Sequence, residues 1–130
     1  MFLICLSCTA QQTDYTIVLE QLEQENQEKL DIGKQMMQTE RDHLIRLDSL
    51  MNIVYQDLLR YKNTNKKAMK IEQEKWVVRN NVDNKETWQP ITQSIKNGWV
   101  IGDDMKMIAY SKQADLKYNR ILELIGKFED

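Results

Sequence analysis

The residues that could carry out covalent or metal chemistry are few in this 130-residue chain, and they lie far apart. Cys5 and Cys8 form a C-L-S-C motif, whose spacing supports either a redox disulfide or half of a zinc site. A thioredoxin-type pair needs a strand before it and a helix after it, and a structural zinc needs two more ligands. Because the one histidine, His43, is distant in sequence, we expect neither site to be completed.

The apolar segment around the two cysteines is typical of export. Residues 1–12 read MFLICLSCTAQQ, which is too short for a membrane-spanning helix of about 20 apolar residues but is similar to the end of a secretory signal. Cys8 follows Leu6-Ser7, which resembles the context in which bacterial lipoprotein signals are cut and the new N-terminal cysteine is acylated. We therefore predict that Cys8 is a lipid attachment site. An ordinary cleaved signal and an uncleaved cytosolic terminus are the alternatives.

No sequence pattern indicates an enzyme. The chain contains no G-x-S-x-G, no HExxH and no Gly-rich phosphate loop. His43 lies at the polar edge of its helix, where a solvated or hydrogen-bonded side chain is expected rather than a metal ligand. The carboxylate pairs Glu23 with Glu25 and Asp103 with Asp104 are expected to form helix surface and caps rather than a general acid and base. We predict a protein without catalytic residues, metal or cofactor.

Composition favours one helical domain over residues 13–130. The chain has four Gly and one Pro, too few for the frequent turns of an all-β or α/β fold. Its formal net charge is −2, far from the strong basicity of a nucleic-acid-binding surface. We therefore expect an all-α domain that does not bind nucleic acid.

Two helices are predicted in the first half of the chain. Residues 14–42 are rich in Gln and Glu and predict an amphipathic, weakly hydrophobic helix with a break near Gly33. Over residues 37–61 the apolar side chains recur at the three-four spacing of a helix seam, which makes this the clearest helix. A polar turn follows, in which Thr64 or Asn65 can cap the next helix.

Two further helices are predicted in the second half. One runs from about Lys66 to the high eighties, where Pro90 should end or kink it because proline lacks a backbone donor; a short helical piece can follow. The other begins at Asp103 as N-cap and ends near Gly126. Helices of this length joined by short loops predict a small antiparallel three- or four-helix bundle without disulfides.

Charge is divided unevenly along the chain. Residues 14–42 carry a net charge of −5, and residues 60–85 carry +5. This division predicts either a bipolar binding surface or two segments that pack side by side and neutralise each other. Surface ion pairs contribute only about 0–1 kcal/mol each. We expect the second arrangement.

Polar and aromatic residues lie beside the strongest apolar faces of two consecutive helices: Asp48, Asn52 and Tyr55 on one, Gln73, Trp76 and Arg79 on the next. A hairpin that turns near residue 64 would place Asp48 beside Arg79 and Tyr55 near Gln73, with Met51 facing Trp76. We expect these contacts to be structural, because a partly buried bidentate pair is costly to break. A partner-binding patch of Tyr55, Trp76 and Arg79 is the alternative.

These residues carry a resemblance to the LprI-like lysozyme inhibitors, a family of small exported bacterial helical proteins. The similarity covers about residues 47–125, including the segments L-D-S-L-M-N-I-V-Y-Q-D-L-L and K-K-A-M-K-I-E-Q-E-K-W-V-V-R and the closing K-Y-N-R. The positions that match the family pattern are Asp48, Met51, Asn52, Tyr55, Gln73, Trp76, Arg79 and Arg120. Many members also carry two cysteines that look able to bridge their helices, and this chain has none at those positions, so no bridge is expected.

The resemblance implies an exported protein that acts by binding. It implies that the protein occludes a muramidase, its protein partner in the cell envelope or periplasm. Contact with the membrane is expected only through a lipid anchor at Cys8. An acidic helix over residues 14–42 is suited to steering a basic lysozyme by long-range attraction. The alternative is a structural or scaffolding lipoprotein that docks onto another envelope protein.

Overall fold

The described residues form four α-helices, of which the first three are joined by short turns. The computed structural model describes the backbone of residues 2–61 and 63–129, and the side chains of residue 12 and of residues 14–128 except 62. The helices are α1 (Phe2–Ile32), α2 (Met36–Arg60), α3 (Lys66–Lys96) and α4 (Asp103–Gly126), and a 3₁₀ turn (Lys127–Glu129) follows α4. Over the described backbone there is no strand. The predicted all-α bundle is confirmed.

Helices α2 and α4 form the centre of the bundle and run parallel to each other. The first residues of α2 and of α4 line one shallow pocket, and at the other end the ring of Tyr61 contacts that of Phe128, with centroids 5.4 Å apart. Helix α1 packs antiparallel against both, whereas α3 packs mainly along α4. The bundle therefore has two outer helices, α1 and α3, held by a central pair.

The core is built mainly from the apolar stripes of α2 and α4, to which α1 adds Leu19. Its buried members are Leu19, Leu47, Leu50, Met51, Val54, Leu58, Met69, Ala114, Ile121, Leu124, Ile125 and Phe128. Most lie at the three-four spacing that predicted the helices, because that spacing places them on one side of each helix. Helix α3 contributes only Met69 to this buried set, and its Trp76 packs against the edge.

The turns confirm two sequence predictions. Helix α1 ends at Ile32, and Gly33 adopts a φ of 74°, a left-handed conformation that glycine adopts without steric cost. Asn65 is the N-cap of α3, where its side chain accepts a hydrogen bond from the Ala68 backbone N–H at 3.1 Å. The chain reverses direction at the two places that the sequence indicated.

Two predicted helix starts are wrong, and one helix continues past a predicted stop. Helix α1 begins at Phe2 rather than near residue 14. Pro90, predicted to end or kink its helix, lies inside α3, which continues to Lys96. The proline side chain is exposed, and the half-buried Trp88 and the buried Ile91 anchor the helix on either side of it. Asp103 is the first helical residue of α4, and the N-cap is Gly102. The Asp103 carboxylate instead lies in the first turn, where it interacts favourably with the positive end of the helix dipole.

Candidate functional site

A buried arginine joins α3 to α4. Arg120 is only 2% exposed. Its Nε and Nη2 donate to Oε1 of Gln73 at 2.9 and 2.8 Å, and its Nη1 donates to Glu72 at 3.1 Å and to Glu123 at 2.8 Å. The guanidinium carbon lies 5.9 Å from the centre of the Trp76 ring, within the range of a cation–π contact. We call these five residues the Arg120 cluster.

The Arg120 cluster ties α3 to α4 through hydrogen bonds and ion pairs. Two carboxylates and an amide oxygen satisfy the buried cation, which would otherwise be costly to remove from water. Partial burial by itself raises the pKa of Glu72, but hydrogen bonds from Lys127 and Arg120, together with their charges, lower that pKa below its ordinary value. The Lys127 Nζ lies 3.1 Å from Glu72 Oε2, which adds a second tie between α3 and the end of α4.

Tyr55 lies at the edge of this cluster. Desolvation raises the pKa of its phenol, the negative charge of Glu74 raises it further, and the charge of Arg120 lowers it. Tyr55 therefore stays neutral at physiological pH. A neutral phenol beside an arginine that is already satisfied is suited to packing and not to proton transfer.

The predicted pairing of Asp48 with Arg79 is wrong. Asp48 forms an ion pair with Lys117 of α4, and Arg79 is exposed on α3. The reason is that α4, whose inner face is richer in aliphatic residues than that of α3, takes the central position beside α2. The two helices of the predicted hairpin approach each other near their turn, where Leu58 and Met69 line one pocket.

The residues that match the family pattern therefore divide into two groups. Gln73, Trp76 and Arg120 meet in the Arg120 cluster, and Met51 is buried in the core. Asn52 is exposed, as Arg79 is, so neither takes part in the cluster. Sequence reasoning named Arg120 only through the resemblance, since nothing in the spacing of α4 indicated that Arg120 binds α3 while Lys117, three residues earlier, binds Asp48 of α2.

His43 is a buried, hydrogen-bonded side chain. It is 5% exposed, and its Nε2 lies 2.9 Å from Oε1 of Glu23. Glu25 pairs with Arg46 at 3.2 Å, so the two carboxylates of this predicted surface pair bind different partners. Among the side chains that the structure describes, no group of three His, Cys, Asp or Glu residues is arranged to hold a metal ion.

The outer face of α1 is acidic. It carries five exposed carboxylates on the side of the helix away from Leu19: Asp14, Glu20, Glu25, Glu28 and Asp31. Of these, Glu25 alone has a basic partner among the described side chains, namely Arg46. Glu28 and Asp31 accept hydrogen bonds from glutamines one turn earlier in the same helix. We call this set the acidic face of α1.

The expected mutual neutralisation of the two charged segments does not occur. Within the described part of the chain, no ion pair joins an acidic residue of α1 to a basic residue of α3. The reason is that α1 packs on α2 and α4, α3 packs mainly on α4, and the two helices do not pack closely against each other. The protein therefore presents an acidic outer helix and a basic one, which is the bipolar arrangement.

An exposed apolar loop lies at one end of the bundle. Between α3 and α4, Trp99 is 70% exposed and Val100 is 97% exposed. The α1–α2 turn lies at the same end, because the first residues of α2 and α4 line a common shallow pocket. In that turn region Ile32 is also largely exposed. We call the segment 97–102 the tip loop.

The predicted lipid site is Cys8, whose side chain falls outside the residues whose side chains are described. No helix, over the part of the chain searched, combines the length and the apolar content that crossing a bilayer requires.

Comparison with known proteins yields no relative: no protein-family model, no curated protein and no solved structure matches the chain at a significant level.

Proposed function

We propose that this protein is a non-catalytic binding protein of the bacterial cell envelope, similar to LprI-like lysozyme inhibitors, that binds and occludes a muramidase. The observation that carries the proposal is the acidic face of α1, whose carboxylates remain largely unpaired although the same chain holds a strongly basic segment. Lysozymes of the animal type are strongly basic. A concentrated field of opposite sign accelerates their encounter with this face.

The tip loop supplies the contact that follows encounter. Trp99 and Val100 project from the end of the bundle, and exposed tryptophans are the residues that most often dominate the energy of protein interfaces. A short loop with a large exposed apolar side chain is suited to entering a cleft. In this proposal the acidic face of α1 steers the muramidase, and the tip loop occupies its substrate groove.

The resemblance fits this division of roles. The pattern residues that come together, Gln73, Trp76 and Arg120, form a structural tie in the interior. Binding is therefore assigned to surfaces outside the pattern. Acylation of Cys8 would hold the domain at the membrane, where a muramidase from outside must pass. Mass spectrometry of the protein expressed with its upstream region would detect this acylation.

The test is a turbidity assay in which a basic animal-type lysozyme clears a cell-wall suspension with and without the protein. We expect protection at micromolar concentration and a complex on a sizing column at low salt. A variant with Glu20→Gln, Glu28→Gln and Asp31→Asn should bind more weakly. The matched control, with Glu74→Gln, Asp83→Asn and Glu86→Gln on α3, should bind like the parent. Absence of both protection and complex would contradict the proposal.

A second variant tests the tip loop. We expect Trp99→Ala to lose protection while it keeps the salt-dependent encounter, because it removes the apolar contact and leaves the charge unchanged. Val18→Ala, which truncates an exposed apolar residue of α1, is its control. Equal loss in the two variants would show that the tip loop is not the occluding element.

A further inference from the structure

The outer face of α3 combines lysines with exposed aliphatic residues at regular spacing. Six residues lie on the side of the helix opposite the buried Gln73 and Asn80, within an arc of about 80° at 3.6 residues per turn. They are Lys67, Ile71, Lys75, Val78, Val82 and Lys85, and all six are exposed. We call this set the basic face of α3.

The aliphatic members of this face are open to solvent. Ile71 is 45% exposed, Val78 63% and Val82 52%, and they follow one another at intervals of seven and four residues. None of the three lysines forms an ion pair with a described side chain. The face extends over about 27 Å from Lys67 to Lys85, at 1.5 Å per residue.

We propose that the basic face of α3 docks on an anionic phospholipid surface. A basic amphipathic helix lies in the plane of a membrane with its aliphatic side chains at the boundary between headgroups and acyl chains. Lysines reach the phosphate groups because their long stems extend along the helix while the ammonium stays in the polar layer. Each basic residue near an anionic surface contributes about 1 kcal/mol.

The sequence of the face favours a membrane over a partner helix. From Ile71 onward the face has the alternating four and three spacing of a coiled-coil seam, but two of its five positions are Lys75 and Lys85. A partner helix would bury their ammonium groups, which is costly without buried counter-ions. A lipid headgroup layer provides both the anions and the water that these groups need.

The position of the face agrees with this occupant. Helix α3 begins at the end of the bundle where residue 12 lies, since Gln12 donates to the Ile125 carbonyl at 3.0 Å and Lys127 contacts Glu72 near the start of α3. The acylation predicted at Cys8 would therefore tether the bundle at the end where this face begins. Membrane contact would then extend beyond the lipid anchor. The inference does not depend on muramidase binding.

The test is flotation of the full chain with vesicles of phosphatidylcholine containing about a third phosphatidylglycerol, and with vesicles of phosphatidylcholine alone. We expect binding to the anionic vesicles that weakens at high salt. A variant with Lys67→Gln, Lys75→Gln and Lys85→Gln should partition on the order of 100-fold more weakly. All variants retain residues 1–12, so any binding by that apolar segment is common to them.

The matched control is Lys29→Gln, Lys34→Gln and Arg41→Gln, exposed residues outside α3, which makes the same charge change at the opposite end of the bundle and should bind like the parent. For the aliphatic residues, Ile71→Gln with Val78→Gln should weaken binding about tenfold, whereas Ile45→Gln with Ile53→Gln on α2 should not. Circular dichroism verifies that each variant is folded.

Three results would overturn the proposal: equal binding to both kinds of vesicle, unchanged binding of the α3 lysine variant, or equal losses in that variant and its control. The proposal would also be overturned if the protein failed to bind vesicles but was retained by an immobilised acidic amphipathic peptide. That result would assign the face to a protein partner.

Discussion

The two outer helices, α1 and α3, are alike in length and opposite in charge. Each is 31 residues long, and each packs with one face against the central pair. The exposed side of α1 carries five carboxylates, whereas that of α3 alternates lysine with valine and isoleucine. Because α1 and α3 do not pack closely against each other, these charges do not cancel. A small bundle can thus offer two surfaces of opposite sign to two different partners.

The two helices are also held differently. Helix α1 contributes Leu19 to the core, with Tyr15 and Leu22 packed against it. Helix α3 buries Met69 and Ile91 but also the amides of Gln73 and Asn80, and the Oδ1 of Asn80 has no hydrogen-bond partner among the described groups. Apolar packing and side-chain hydrogen bonds to α2 together secure α1, whereas α3 depends more on the Arg120 cluster.

The largest effect is expected for Arg120→Ala, which removes the centre of that cluster. It leaves the buried Gln73 oxygen without a donor and opens a cavity, so we expect the free energy of unfolding to fall by about 3–5 kcal/mol. Chemical denaturation measures the loss. Arg79→Ala, at an exposed position of α3 outside the cluster, is the control and should change stability by less than about 0.5 kcal/mol.

Amide hydrogen exchange on the Arg120→Ala variant tests the difference between the outer helices directly. If the cluster is what holds α3, amides of α3 should exchange faster in the variant, and those of α1 should keep their protection. Uniform acceleration along all four helices would show that α3 is held as firmly as α1.

A smaller effect is expected for Glu72→Gln, and it depends on pH. The folded protein lowers the pKa of Glu72, so the carboxylate contributes stability that is fully present above its unfolded value of 4.5 and is lost as pH falls through the lower, folded value. The variant should be less stable than the parent at pH 7. The difference in stability should shrink as pH is lowered below 4.5. Denaturation at several pH values would measure it. A difference that stays constant with pH would contradict the role assigned to the Glu72 carboxylate.

The regular spacing of apolar residues was enough to predict the helices and most of their boundaries. Gly33 and Asn65 acted locally, through backbone conformation and capping, and the structure agrees with both. Pro90, predicted to end or kink its helix, does not end α3, because the contacts of Trp88 with Tyr110 and Gln113 and the burial of Ile91 outweigh the loss of one backbone hydrogen bond. Local rules predicted local structure, and tertiary packing decided the exception.

The arrangement of the helices could not be read in the same way. The hairpin prediction assumed that neighbours in sequence are the closest neighbours in space, which holds near the turn, where Leu58 and Met69 meet. Further along, α4 lies against α2, and the partner of Asp48 is Lys117, 69 residues away. The sequence alone does not show whether Asp48 faces α3 or α4, because α3 offers Arg79 and α4 offers Lys117.

The smallest expected effect is the coupling between Asp48 and Lys117, which a double-mutant cycle would measure. Their ion pair is partly exposed, so removing both side chains as Asp48→Ala and Lys117→Ala should reveal a coupling of about 0.2–1 kcal/mol. The parallel cycle of Asp48 with Arg79 should give none, because Arg79 lies on the outer helix α3 and α4 separates it from Asp48. A measurable coupling in that second cycle would mean that α3 packs against α2 along its length. In that case α3 would not be a peripheral helix, and its contrast with α1 would fail.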